Sequence, residues 1–291
     1  MGSISCRDYL FLRRVICCRA SGEPEDRGRN HGPCVQGGME VTELNRYEDA
    51  DGIRFYDTPI GKLPSATSVL KVLNKPAILG WAVKMTAEYM RETLQLISCG
   101  AMKKEELTDK TIDFLVKNSK AAHRKTSTEA MDIGSAVHAW IEIYYNMKLS
   151  KVFEDVPPLT PEIGSAIDAF REWDAKNHVR PICVEERIWS KERFAGTLDL
   201  YAEVGGQLTL LDFKSSTGHW PENVMQLGAY DLAFRERTGN KVDRYMVVRL
   251  DKLTGVPDPK EYSREDVELG AKRFLAILNY WWLSNGNQAQ D

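Results

Sequence analysis

The chain has 291 residues, 43% hydrophobic and 28% charged, enough to bury a core in one large domain or two small ones, which excludes a wholly disordered polymer. Charges break every apolar run well short of the about 18 residues a membrane helix needs, and a net charge of −3 excludes a uniformly basic coat. A local basic surface is still allowed: Lys71 to Lys125 carries 11 Lys/Arg against 6 Asp/Glu.

Residues 1–38 differ from the rest. An apolar, arginine-flanked piece, Tyr9 to Cys18, precedes a Gly/Arg/Pro/Glu stretch, and neither a helix nor a strand period persists. Arg13-Arg14 interrupts the apolar run that a secretory signal requires, and Cys6 stands where an N-myristoylation pattern has Ser or Thr. The segment reads as a disordered extension, with organelle targeting as the weaker alternative; otherwise the protein is expected to be intracellular and cytoplasmic, with no membrane partner. Four of the six cysteines crowd into the first 34 residues, leaving Cys99 and Cys183 isolated, so a disulfide framework is not expected.

From residue 39 to 125 the pattern is a hairpin plus a helical region. Two short strands between Tyr47 and Pro64 flank Asp51-Gly52, a favourable turn. Ser65 caps a short helix ending near Asn74, Leu79 to Leu96 has helical apolar spacing, and a further helix runs from about Lys103 to Lys120. From 126 to 291 a core is expected. Thr126-x-x-Glu129 reads as a capping box opening a helix to about Met147, and Thr160-Pro161 starts another to about Lys176. The period then becomes that of strands: Ile182 to Ser190, Phe194 to Val204 and Gln207 to Lys214, the last two joined by Gly205-Gly206. A helix from about Glu222 to Arg237, a strand from Lys241 to Leu250 and a helix from Arg264 to Leu283 complete a mixed α/β arrangement, a central mixed sheet flanked by helices.

The two-glycine turn fixes a register in which paired residue numbers sum to 411, so Asp199 faces Asp212. Directly opposed carboxylates repel and call for a cation. Lys214, two residues beyond Asp212, projects from the same face, while Leu198, Leu200, Ala202, Leu211 and Phe213 supply apolar cover on the other. Two carboxylates suit Mg²⁺ or Mn²⁺, hard ions that stabilise charge on a phosphodiester under attack.

Gly196-Thr-Leu-Asp199, Asp212-Phe-Lys214-Ser-Ser and Gln226-x-x-x-Tyr230 together resemble the RecB-type branch of the PD-(D/E)XK nucleases. The helix Gly134-Ser-Ala-Val-His138-Ala-Trp-Ile-Glu142 resembles that branch's histidine motif, and Leu63-Pro-Ser-Ala-Thr-Ser-Val-Leu70 is similar to a segment of phage-type and mitochondrial genome-maintenance exonucleases. The resemblance covers roughly residues 60 to 250. It implies a restriction-endonuclease-like core with Asp199, Asp212, the Phe213 carbonyl and His138 as metal ligands and Lys214 as the catalytic lysine. It also implies Glu185 as a supporting acid on the first core strand, and Gln226, Tyr230, Ser215 and Ser216 as DNA-binding residues. Leu198 stands where the family name has proline, a form usual in this branch.

The function so implied is metal-dependent hydrolysis of DNA at ends or single-stranded tails, in recombination, repair or replication, with a single-strand-binding or recombination protein as a partner. The alternatives are a structure-selective endonuclease and a non-cleaving DNA-binding accessory protein on a nuclease fold. An iron–sulfur cluster is not expected, because no cysteine follows Cys183, and Gly61-Lys62 lacks the glycine spacing of a nucleotide-binding loop.

Overall fold

A computed structural model of the chain describes residues 44–285 apart from 74–75, 102, 104–105 and 150–156. The expectations for residues 1–38 lie outside the described residues. Among those described, no helix is long and apolar enough to cross a membrane.

Two compact units emerge, one formed by residues up to 72 and from 136 onward, the other by residues 73–135. The first holds both sheets. Strands β1 (Arg46–Glu48), β2 (Arg54–Thr58) and β3 (Gly61–Pro64) form an antiparallel meander. The β1–β2 turn is held by Asp49, whose Oδ1 accepts the Asp51 and Ile53 amides, with Gly52 at φ 72. A third strand was not expected; Gly61 at φ 107 reverses the chain after Thr58 and creates it. Helix α1 (Ala66–Leu70) follows, its N-terminus capped by Ser65, which accepts the Ser68 amide.

The larger sheet has the order β4 (Arg180–Ser190), β5 (Phe194–Val204), β6 (Gln207–Lys214), β7 (Arg244–Leu250), β8 (Pro257–Tyr262) and is mixed: only β6 and β7 run parallel. Strand β8 is absent from the sequence expectation because Pro257 and Pro259 argue against a strand. At the sheet edge, where one side needs no ladder partner, they are tolerated. Both glycines of the β5–β6 turn have positive φ, and Val204↔Gln207 through Leu200↔Leu211 follow the expected register.

Helices cover both faces. Phe213 packs edge-on against Phe170 and Trp173 of α4 (Pro161–Asn177), capped by Thr160 as expected. On the other face lie α5 (Pro221–Thr238) and α6 (Arg264–Asn285), with Phe234 against Tyr201 and Asp231 accepting from the Tyr245 hydroxyl. These two helices approach closely because a Cβ on Gly228 or Gly270 would stand 2.4 Å from backbone of the facing helix.

The second unit contains α2 (Pro76–Ser98) and the first part of α3 (Asp109–Lys148). The sequence reading placed two helices where α3 is one helix of 40 residues. No proline or glycine interrupts residues 109–133, and Thr126, expected as a cap, bonds back to the Ala122 carbonyl while Lys125 and Glu129 pair along the helix. The α3 end that belongs to the first unit is fixed by Asp174 of α4. That buried carboxylate accepts from Tyr144 (2.6 Å), Tyr145 (2.9 Å) and Lys148 (2.8 Å). Of the isolated cysteines, Cys99 is an exposed free thiol and Cys183 is buried in β4.

Candidate metal centre

Four segments of the first unit converge on one place: α3 through His138, β4 through Glu185, β5 through Asp199, and β6 through Asp212 and Lys214. His138 Nδ1 lies 3.7 Å from Glu185 Oε1 and 3.6 Å from Asp199 Oδ2. The ligand atoms of these three residues lie within 4.8 Å of one another. Lys214 Nζ donates to Asp212 Oδ1 at 2.8 Å, as a same-face pair two residues apart on a strand can.

The facing aspartates are resolved in a way the register alone does not foresee. The β5–β6 ladder stops at Leu200↔Leu211, one pair short of Asp199 and Asp212. Beyond it Asp199 Oδ2 accepts the Phe213 amide at 2.7 Å, so a side chain takes over a ladder bond. In an extended strand a residue's N–H and C=O point the same way, so the Phe213 carbonyl also faces the Asp199 side.

Glu185 is the second departure. Its backbone sits in the left-handed region at φ 47, in the middle of β4, and the β4–β5 pairing passes over it and Asp199, running from Val184↔Leu200 to Glu186↔Leu198. The side-chain alternation slips there. The α5–α6 layer meets Tyr201 on one side of Asp199, but Gly196 and Phe194 on the other, through Tyr230 and Phe274. A non-glycine residue in this conformation is held against about 1–2 kcal/mol of steric strain. Here that strain delivers a third acid to the same point. Sequence periodicity treats a strand as regular and gives Glu185 no special weight; only its charge beside Glu186 marks it.

The electrostatics fit a cation. Burial pushes Asp212 up to about 6, even though the Lys214 ammonium opposes the shift, and burial likewise raises Asp199 against the pull of His138 and Lys214. Burial alone would lower His138, but the Asp199 and Glu185 carboxylates prevail and raise it to about 9. Lys214 behaves similarly: desolvation is outweighed by Asp212 and Asp199, so its ammonium form is favoured. Three carboxylates against two cations leave one negative charge uncompensated. Exchanging the His138 proton for a divalent ion brings the cluster to neutrality.

Asp212 Oδ2 is a buried oxygen that accepts no hydrogen bond, although the Lys214 ammonium is 2.7 Å away. The Lys214 ammonium is the cation this fully buried carboxylate meets, and it leaves Asp212 ionised beside the other acids. Ligand atoms of an octahedral ion at about 2.1 Å stand about 3.0 Å apart when adjacent and about 4.2 Å when opposite. The His138–carboxylate separations fall inside that window. His138, Glu185 and Asp199 are therefore consistent with a divalent cation, with the Asp212–Lys214 pair beside them.

Around this centre, Gln226 donates to the Tyr230 hydroxyl at 2.7 Å, and Tyr230 is buried against Gly196, where a Cβ would meet the ring at 2.5 Å. The glycine of Gly196-Thr-Leu-Asp199 is thus explained by ring packing. Burial, with Asp199 and Asp212 nearby, raises the Tyr230 phenol well above its usual range, so it stays a neutral hydroxyl. Thr197 is tied to the small sheet by a 2.8 Å hydrogen bond with Tyr56, a neighbour sequence reasoning missed because β2 is 141 residues away along the chain. Ser216 donates to the Gly218 carbonyl as a turn-forming serine, and Ser215 follows Lys214 half-buried at the end of β6.

No protein-family model matches the chain, and no curated protein matches it. Among solved structures, one described as "Putative exonuclease" from Eubacterium rectale superposes with a TM-score of 0.32 at 15% identity, covering 50% of this chain and 68% of that one. Below a TM-score of 0.5 such a superposition adds no weight, and the chemistry must be read from the side chains.

Proposed function

We propose that the protein is a metal-dependent deoxyribonuclease of the PD-(D/E)XK type, acting inside the cell as an exonuclease at DNA ends or single-stranded tails. The observation that carries this reading is the convergence of His138, Glu185 and Asp199 beside the buried Asp212–Lys214 pair. Asp199, Asp212, Glu185 and His138 would hold the ion, with the Phe213 carbonyl on the same side as a fifth donor. A bound divalent ion supplies Lewis-acid stabilisation of charge on the phosphodiester. One imidazole among carboxylates favours Mn²⁺ at least as well as Mg²⁺.

The side chains perform the rest. Lys214, protonated and anchored by Asp212, donates to a non-bridging phosphate oxygen as negative charge grows there. Tyr230, fixed over Gly196, orients Gln226 from behind, so Gln226 reaches the strand and Tyr230 acts as a positioning residue. Ser215 offers a hydroxyl to a phosphate oxygen just past Lys214. Retention of both aspartates and the lysine favours cleavage over an accessory role.

The test is cleavage of end-labelled linear single- and double-stranded DNA beside a closed circle, with Mg²⁺, Mn²⁺ or EDTA, for wild type and Lys214→Ala. Loss of linear DNA alone, abolished by EDTA and by the substitution, is expected. Nicking of the circle makes the protein an endonuclease; binding without cutting under any metal overturns the nuclease reading.

A further inference from the structure

Helix α5 begins seven residues after Lys214 and runs 18 residues. Its start carries three groups that the metal centre does not use. Trp220, at the N-cap, gives the helix no side-chain cap and is 44% exposed as a residue, an unusual place for so large an apolar side chain. Asn223, in the first turn, is 94% buried (6% exposed), yet its side-chain Nδ2 has no hydrogen-bond partner. His219, just before the helix, contacts the Asp258 carbonyl through Nε2 at 3.1 Å and leaves Nδ1 buried without a partner. The His219 Nδ1 is the acceptor nitrogen of a ring whose Nε2 donates to Asp258, so the orphaned donor here is the Asn223 amide; at a helix N-terminus without a side-chain cap, whose dipole favours anions, it marks a place for an acceptor.

The direction of Asn223 follows from the helix period. Val224 and Gly228 face α6, where Gly270 and Ala271 meet them. Asn223 shares the opposite stripe with Gln226 and Tyr230 at i, i+3 and i+7, and Tyr230 is the residue packed over Gly196 and influenced by Asp199 and Asp212. Asn223 therefore stands two turns, about 10.5 Å, along the same face from Tyr230. An amide nitrogen is only a donor, so its ligand is an acceptor, and the positive end of a helix selects an anionic one.

We propose that the start of α5 is a nucleotide subsite beside the metal centre, in which the Asn223 amide holds a backbone phosphate and the Trp220 indole stacks an unpaired base. This rests on the nuclease reading and sharpens it, because a base can stack on Trp220 only if the strand is single. The subsite lies next in line to the bond at Asp199 and Asp212 and fixes the register in which the strand is presented.

The experiment is fluorescence anisotropy of a labelled 15-nucleotide single strand with the full chain, Ca²⁺ replacing Mg²⁺ to hold hydrolysis, for wild type, Trp220→Ala and Asn223→Leu, with thermal melts of each. Trp220→Ala is expected to weaken single-strand binding about tenfold and leave duplex binding unchanged. Asn223→Leu is expected to weaken binding by about tenfold while raising Tm by about 2–4 °C, since it removes a buried donor that has no partner in the free protein. A single methylphosphonate moved along the strand has one position that weakens wild type comparably and Asn223→Leu no further. A lower Tm for Asn223→Leu, or unchanged binding by both variants while wild type cuts the same strand with Mg²⁺, overturns the subsite and leaves the nuclease reading standing. The expected binding pattern without cutting removes the nuclease reading and keeps the subsite, and absence of both overturns both.

Discussion

Substituting Glu185 separates a strained backbone from a ligand role. At φ 47 a side chain bearing Cβ is held in a conformation that only glycine adopts freely, at about 1–2 kcal/mol. Glu185→Ala keeps the strain and loses the carboxylate; Glu185→Gly loses both; Glu185→Gln keeps the strain and shape but loses the charge. Glycine gives back roughly 0.5–1 kcal/mol through the greater freedom of the unfolded chain. Glu185→Gly is therefore expected to be more stable than Glu185→Ala by roughly 0.5–1 kcal/mol in urea unfolding with EDTA present. All three variants relieve repulsion with Asp199 in the metal-free state, yet all should bind Mn²⁺ at least about 10-fold more weakly in calorimetric titration, the least that loss of a group merely supporting a metal ligand brings. Equal stability of the Ala and Gly variants would refute the strain. Unchanged Mn²⁺ affinity in Glu185→Gln would refute the ligand role.

Further predictions concern the frame around the centre. Gly196→Ala sets a Cβ at 2.5 Å from the Tyr230 ring and is expected to cost about 1–3 kcal/mol and slow cleavage by moving Gln226, checked by unfolding and by single-turnover rates. Asp174→Ala strands Lys148 and two tyrosine hydroxyls and is expected to destabilise by about 3–5 kcal/mol in urea, loosening the helix end that carries His138. His138, raised to about 9 without metal, stabilises the metal-free fold fully below its unfolded value near 6.5 and loses that contribution as pH rises through 9. Since the ion must displace that proton, Mn²⁺ affinity should climb by up to about tenfold per pH unit between pH 7 and 9; a flat profile over that range contradicts the assignment.

The strand register around Gly205-Gly206 could be read from the sequence because a two-residue turn leaves one pairing, and side-chain period then puts Lys214 beside Asp212. Three features escaped for physical reasons. Strand β8 hides behind two prolines that only an edge position tolerates. The break in the ladder at Asp199 and the left-handed turn at Glu185 are tertiary responses to crowded carboxylates, and glutamate carries no propensity that announces them. The expected helix start at Thr126 shows the reverse: a capping pattern read locally is overridden where helical residues continue on both sides. His138 was placed by motif, and its partners by the fold.

The most direct measurement is anomalous diffraction from crystals of the protein soaked in Mn²⁺. A single strong peak about 2.0–2.6 Å from carboxylate oxygens of Asp199 and Asp212, with Glu185 and His138 completing its shell, is the predicted result. A peak elsewhere, or none, with Lys214 still seated on Asp212, would contradict a metal centre at these residues.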